Sequence, residues 1–151
     1  MELKRKNKYL YNSLLLKKFV NNLAKKGKVQ KIEISLFKSL AFLKFKVKLN
    51  PLLLFLFLIN EIKPVLELKT LRLGSVSYKI PVPLLYWKQV FRAVKLLLKV
   101  IKLNTQKLTL VQKVYLELFL ILQKKSSIYK LNQSIYQTAS SNRAFSHYRW
   151  S

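Results

Sequence analysis

The segment KPVLELKTLRLGSVSYKIPV, Lys63 to Val82, decides how the rest of the chain is read. On both sides of it apolar residues recur every three or four positions, and inside it the period falls to two. From Val76 to Val82 the alternation is clean, with Val76, Tyr78, Ile80 and Val82 on one side; from Val65 to Leu73 it is imperfect. Gly74 and Ser75 lie between the two runs as a turn signal. The pattern predicts a two-stranded β-ribbon set into a helical chain, its exposed side carrying Lys69, Arg72 and Lys79. Pro81 fits the second strand only where its missing N–H faces away from the ladder. A lone hairpin is marginal in water, so this one needs something to lie against.

Upstream of the ribbon, a basic lead, MELKRKNKY, precedes a helix capped by Asn12 or Ser13. Its stripe is Leu15, Leu16, Phe19, Val20 and Leu23, and Gly27 is its natural stop. A second helix uses Ile32, Leu36, Leu40 and Leu43, with Lys31, Lys38 and Lys44 among its polar positions. Asn50 then Pro51, cap then first turn, opens a third that ends before Pro64. Its run PLLLFLFLI, Pro51 to Ile59, falls short of the roughly 20 apolar residues that span a bilayer. Lysines also interrupt NSLLLKKFVNNLAKK, so no secretory signal is expected there.

Downstream, a fourth helix runs from about Tyr86 to Ile101, with Val90, Val94, Leu97 and Ile101 inside and Lys88, Arg92, Lys95, Lys99 and Lys102 outside. A fifth runs from about Thr109 to Gln123, and its VYLELFLIL segment is apolar almost all round, which predicts central burial. A sixth starts near Ser126 or Ser127 on the stripe Ile128, Leu131, Ile135 and Ala139. The expected architecture is mainly α: a six-helix bundle in one domain spanning 1–151, with a protruding two-stranded β-ribbon at about 64–82 between the third and fourth helices.

Composition narrows function. Thirty Lys and Arg against five Glu and no Asp give a formal charge of +25, which calls for a polyanionic partner. With half the residues hydrophobic and 13% aromatic, a disordered basic tail is excluded and a packed core wrapped in cations is expected. The absence of cysteine removes disulfides, thiolate zinc sites and cysteine nucleophiles. One histidine, His147, has no Glu near it in sequence, no Asp exists for a triad, and no second ligand accompanies it to hold a metal. Glu61 and Glu67 straddle Pro64 and belong to different elements, as partners for lysines rather than as a catalytic pair. With glycines only at 27 and 74, no phosphate-cradling loop exists. The expectation is a protein that is not an enzyme and carries no cofactor.

Three stretches carry a resemblance. KFVNNLAKKGK (Lys18 to Lys28) is similar to the first helix and turn of the small-subunit ribosomal protein seven family, Lys63 to Val82 to its β-ribbon, and NRAFSHYRW (Asn142 to Trp150) to its C-terminal signature. The resemblance implies the six-helix fold with its ribbon, binding to the 3′ major (head) domain of small-subunit ribosomal RNA, and a role in assembling the head near the exit site. Through the first helix, fourth helix and ribbon it implies RNA contact at Lys18, Lys28, Lys69, Arg72, Lys79, Lys88 and Lys95. The C-terminal signature would bring Arg143, Phe145, His147, Tyr148, Arg149 and Trp150 beside exit-site tRNA and small-subunit protein eleven, with all but Phe145 counted as RNA-binding. Tyr148 and Trp150 have rings suited to base stacking, whereas Phe145 serves equally as a core plug.

The chain also departs from the family. Leu71 stands where the ribbon usually has a cation, Ser75 where it has a second glycine, and PLLYWKQ where several arginines are expected at the start of the fourth helix. Lysine elsewhere supplies point charge without the bidentate fork. The signature's aromatic and cationic residues predict a tail held against RNA or a neighbouring protein and ordered by assembly. The usage of Lys, Leu, Ile, Asn, Phe and Tyr, with lysine far above arginine, resembles an AT-rich organelle genome. No Arg- and Ser-rich transit segment is expected ahead of the fold. A mitochondrial ribosome is the expected location, with a plastid or bacterial one as the alternative. The competing function is a basic amphipathic membrane-surface protein on anionic lipid, which explains charge and apolar content but not the ribbon. Neither membrane binding nor a homo-oligomer is expected.

Overall fold

A computed structural model describes residues 14–24 and 26–150. In chain order the elements are α1 (Leu14–Leu23), α2 (Val29–Val47), α3 (Pro51–Ile62), β1 (Leu66–Leu73), β2 (Val76–Pro83), α4 (Tyr86–Leu103), α5 (Leu110–Leu122) and α6 (Ser127–Ser141), then a 3-10 segment, Arg143–Trp150. Among the described residues there are six α-helices, with the antiparallel ribbon between α3 and α4, as the periodicity predicts. The proposed caps Asn12 and Ser13 lie outside the described residues.

The apolar stripes converge on one core. Phe19 from α1, Leu36 and Leu40 from α2, Phe55 and Ile59 from α3, Leu97 from α4, Leu118 and Ile121 from α5 and Ile128 from α6 all belong to it. Phe19 and Phe55 meet edge to face at 5.6 Å. Fully burying such a side chain is worth roughly 1.5–3 kcal/mol, so these contacts are the main force closing the bundle. No helix among the described residues is long and apolar enough to cross a membrane.

Local chemistry sets the helix limits. Asn50 Oδ1 accepts from Leu52 N at 3.1 Å with Pro51 in the first turn, as the sequence predicts for α3. Thr109 and Gln112 form a reciprocal capping box at the start of α5. Two stops were not legible. Instead of ending at Gly27, α1 ends at Leu23, and Gly27 at φ 73° turns the chain into α2. Beyond α5, Lys124 takes the left-handed conformation at φ 56°, its N–H bonding Ile121 O at 2.9 Å while Lys125 N bonds Leu120 O at 2.9 Å. That is a Schellman closure with lysine where glycine is usual.

Within α5, Glu117 is buried, and its carboxylate accepts the hydroxyl hydrogen bond of Ser126. The same Ser126 Oγ accepts from Ile128 N at 3.1 Å, so one hydroxyl both caps α6 and satisfies a buried charge from α5.

The ribbon register pairs Lys69 with Ile80, Leu71 with Tyr78 and Arg72 with Ser77. Directly paired residues share a face. Lys69 therefore stands on the face of Tyr78 and Ile80, while Arg72 and Lys79 stand on the other, which corrects their expected placement on one side. The physical reason is parity: residues three apart in a strand point to opposite faces. Pro81 and Pro83 lie opposite Leu68 and Leu66, at odd steps from the closing Leu73–Val76 pair. Leu84 N bonds Val65 O at 2.9 Å, at an even step, so both prolines fall where the ladder makes no bond. Gly74, at φ 61°, occupies the first central position of the turn, where a type II′ hairpin needs a positive φ.

What the ribbon lies against is α6 and the tail. Asn132 Nδ2 donates to Ile62 O at 3.0 Å, Tyr136 Oη accepts from Val65 N at 3.2 Å, and Asn142 Nδ2 donates to Lys79 O at 3.0 Å. Phe145 packs on Tyr78 with ring centroids 4.8 Å apart, and Tyr148 stacks behind Phe145 at 6.5 Å. The tail is thus docked on the protein's own ribbon, which corrects the expectation that its order comes from assembly alone. Phe145 acts as a plug because Tyr78, half-buried on β2, offers it a ring.

Two outcomes follow. Ser126→Ala removes a helix cap and orphans a buried carboxylate, and should cost roughly 2–4 kcal/mol in urea unfolding; Ser127→Ala, one residue along, should cost under about 0.5 kcal/mol. Phe145→Ala should release the tail without unfolding the bundle, read as amide exchange of residues 143–148 at least about tenfold faster than wild type while α3 and α4 stay protected.

Candidate nucleic-acid interface

The α4 stripe Lys88, Arg92, Lys95, Lys99 and Lys102 repeats at helical spacing, so one face of an 18-residue helix is cationic along its length. Packing turns that stripe into one wall of a furrow. At the ribbon end, a cleft of about 320 Å³ is lined by Lys18 of α1, Lys88, Phe91, Arg92 and Lys95 of α4, and Glu67 of β1. It continues through Lys95, Lys99 and Lys102 beside Asn22 of α1. It ends in a depression of about 370 Å³ lined by Lys28, Lys31, Lys102 and Lys113 together with Ser35 and the apolar Leu23, Ile32, Ile101 and Leu110. Successive sections share Lys95 and then Lys102, so the cations form one track.

Several of these side chains are held in place. Lys18 Nζ sits 3.2 Å above the Phe91 ring, a cation–π contact that couples α1 to α4. Lys102 Nζ donates to Asn22 O at 3.1 Å and Lys113 Nζ to Asn104 O at 2.8 Å. Arg92 pairs with Glu67 at 2.7 Å, so this cation is neutralised in place and fixes the ribbon base to α4. Glu61 pairs instead with Lys124, at 3.6 Å, and the two glutamates occupy α3 and β1, as the sequence predicts.

Of the residues implicated by resemblance, Lys18, Lys88 and Lys95 come together in the ribbon-end cleft, and Lys28 stands at the far end of the same furrow. Lys69, Arg72 and Lys79 are on the ribbon, split between its faces. Arg143 and His147 are exposed on the tail. His147 Nδ1 lies 2.8 Å from Ala144 O, and its ring leans on Tyr148 at 4.0 Å. Tyr148 is half-buried between His147 and Phe145, so its ring is engaged within the protein. Arg149 and Trp150 belong to the 3-10 segment by backbone, and their side chains lie outside what is described.

Sequence reasoning placed Lys99 and Lys102 on the outer face of α4 without assigning them to the interface, although the stripe that contains Lys88 and Lys95 includes them. Lys31 and Lys113 were missed because nothing local brings α2 and α5 beside α4. Elsewhere, burial raises the Glu33 carboxyl above its ordinary pKa, and burial followed by the nearby Glu61 charge raises the Tyr129 hydroxyl. Neither group lines the furrow. Among the described residues, no cluster of His, Asp or Glu is arranged to hold a metal ion.

The arrangement is a track of cations, several of them held by neighbouring groups, with a ribbon at one end. Over residues 2–143 the chain matches the family model described as ribosomal protein S7p/S5e. It is 33% identical over 140 residues to small ribosomal subunit protein uS7 of Syntrophobacter fumaroxidans, covering 93% of this chain and 89% of that one. The corresponding protein of Syntrophus aciditrophicus is 31% identical over the same shares, and that of Pelagibacter ubique is 29% identical over 93% and 90%. With a match of this extent, and with the helix order and ribbon in agreement, the chain belongs to the ribosomal protein S7p/S5e family.

Proposed function

We propose that this protein is a structural, non-enzymatic constituent of the small ribosomal subunit, and that its furrow binds the 3′ major (head) domain of the small-subunit ribosomal RNA. The observation that carries the reading is the continuous track of lysines contributed by α1, α4 and α5 and by the start of α2. Cations that belong to four elements can meet one curved phosphate backbone only because the fold aligns them, and each neutralised phosphate releases counterions. The ribbon and docked tail supply orientation: Arg72 and Lys79 reach out from one ribbon face, Lys69 from the other, and Arg143 and His147 from the tail. In this arrangement the head domain folds around a rigid basic wedge, and small-subunit protein eleven and exit-site tRNA are the neighbours of the tail.

The location we favour is a mitochondrial ribosome, with a plastid or bacterial ribosome as the alternative. The support is compositional: lysine far outnumbers arginine, and Leu, Ile, Asn, Phe and Tyr are heavily used, as in products of AT-rich organelle genomes.

The furrow is tested by the salt dependence of binding to a transcript of the head domain. Replacing Lys95, Lys99 and Lys102 together by Gln should lower the slope of log K against log salt by about 0.7–0.9 for each phosphate left without its cation, a total of roughly 2–3. Lys125→Gln with Lys130→Gln, exposed on the α5–α6 side, should change it by less than about 0.5. Equal slopes for the two variants would remove the furrow from the interface.

A further inference from the structure

Large apolar side chains are costly to leave in water, and α4 opens on three in succession. Leu85, Tyr86 and Trp87 are 72%, 53% and 64% exposed. Their backbone is fixed: Leu85 O accepts from Gln89 N at 3.0 Å, and Gln89 Nε2 donates to Leu84 O at 2.8 Å. The rings have partners as well. Tyr86 and Trp87 meet edge to face, with centroids 5.7 Å apart at 75°, and Lys63 Nζ lies 4.7 Å from the centre of the Tyr86 ring. Directly after Trp87 comes Lys88, which lines the cationic cleft with Lys18 and Lys95.

An exposed indole therefore directly precedes, in the first turn of α4, a lysine that lines the furrow. The surroundings select the occupant. An apolar protein segment would seek a groove with apolar walls, whereas the cleft that Lys88 lines carries Lys18, Lys88 and Lys95 and the Arg92–Glu67 pair beside Leu84 and Phe91. An unpaired nucleotide matches both halves, with a π face for the indole and a phosphate for the lysines. Tyr86, pinned by Lys63, is then the positioning residue that sets the orientation of the indole.

We propose that Trp87 is a stacking platform for an unpaired base of the RNA held in the furrow; this rests on the RNA-binding reading above. Trp87→Leu keeps an apolar side chain but removes the π face, and should weaken binding to the head-domain transcript about fivefold or more with the salt slope unchanged. Trp87→Phe should recover most of the affinity. In Trp150→Phe, Trp87 is the sole tryptophan of the chain. Its emission should be quenched when the transcript binds and unaffected by a fully paired poly(A)·poly(U) duplex, with binding followed separately by anisotropy of labelled RNA. If Trp87→Leu binds the transcript as wild type does, or the Trp87 emission is unmoved in the bound complex, stacking is overturned and RNA binding stands. If the wild-type protein does not retain the transcript at all, both readings fall.

Discussion

Twenty-five uncompensated positive charges on 151 residues are the constraint to which the structure answers. At close quarters such charges repel, so the fold survives by separating them from its apolar interior and spreading them over helix faces. The core residues of α1 to α6 supply the cohesion, and a long lysine stem lets an apolar surface be covered while the charge stays out of the core. Few carboxylates relieve the charge locally: Glu67 is spent on Arg92, Glu61 on Lys124, and Glu117 is buried against a serine hydroxyl. The remaining field is available to a polyanion, and the fold concentrates part of it in the α1–α4 furrow.

The ribbon is the second dependent element. Two strands alone bury too little to persist in water, and here neither face is uniformly apolar, with Leu66 and Leu68 on one and Leu71 on the other. Stability comes from outside the hairpin. Arg92 holds it from α4, Asn132, Tyr136 and Asn142 hold its roots and second strand from α6 and its C-terminal cap, and Phe145 covers Tyr78. The same contacts fix the angle at which Arg72 and Lys79 leave the body, so anchoring and presentation of charge are one arrangement. The tail, by serving the ribbon, becomes part of the same surface.

Much of this was legible in the chain. Asn50 and Pro51, Gly74 and, of the two serines offered, Ser126 are local signals, because caps and hairpin turns depend on a few adjacent residues, and each stands where it was read, while Thr109, read only as the approximate start of its helix, is that helix's cap. The α4 stripe was legible for the same reason. What escaped depends on tertiary neighbours. The burial of Glu117 inside an apolar run is stable only because Ser126 arrives from the next element. Left-handed lysines at 48 and 124 end helices where no glycine marks the stop. Phe145 looked equally suited to RNA or core until the ribbon register placed Tyr78 beneath it. Lys113 joins the furrow through the packing of α5, and no spacing along the sequence announces that. The faces of Lys69 and Arg72 were readable by parity, and the imperfect alternation of β1 obscured it.

The central claim is that the fold selects one RNA domain, beyond the attraction any polycation has for any polyanion. Filter binding of the purified protein to the head-domain transcript, in competition with excess tRNA and with anionic liposomes, tests it most directly. Selective retention of the head domain, weakening steeply with salt but persisting against both competitors, is the predicted result. Equal loss of the transcript to tRNA, or preferential transfer of the protein to liposomes, would contradict it.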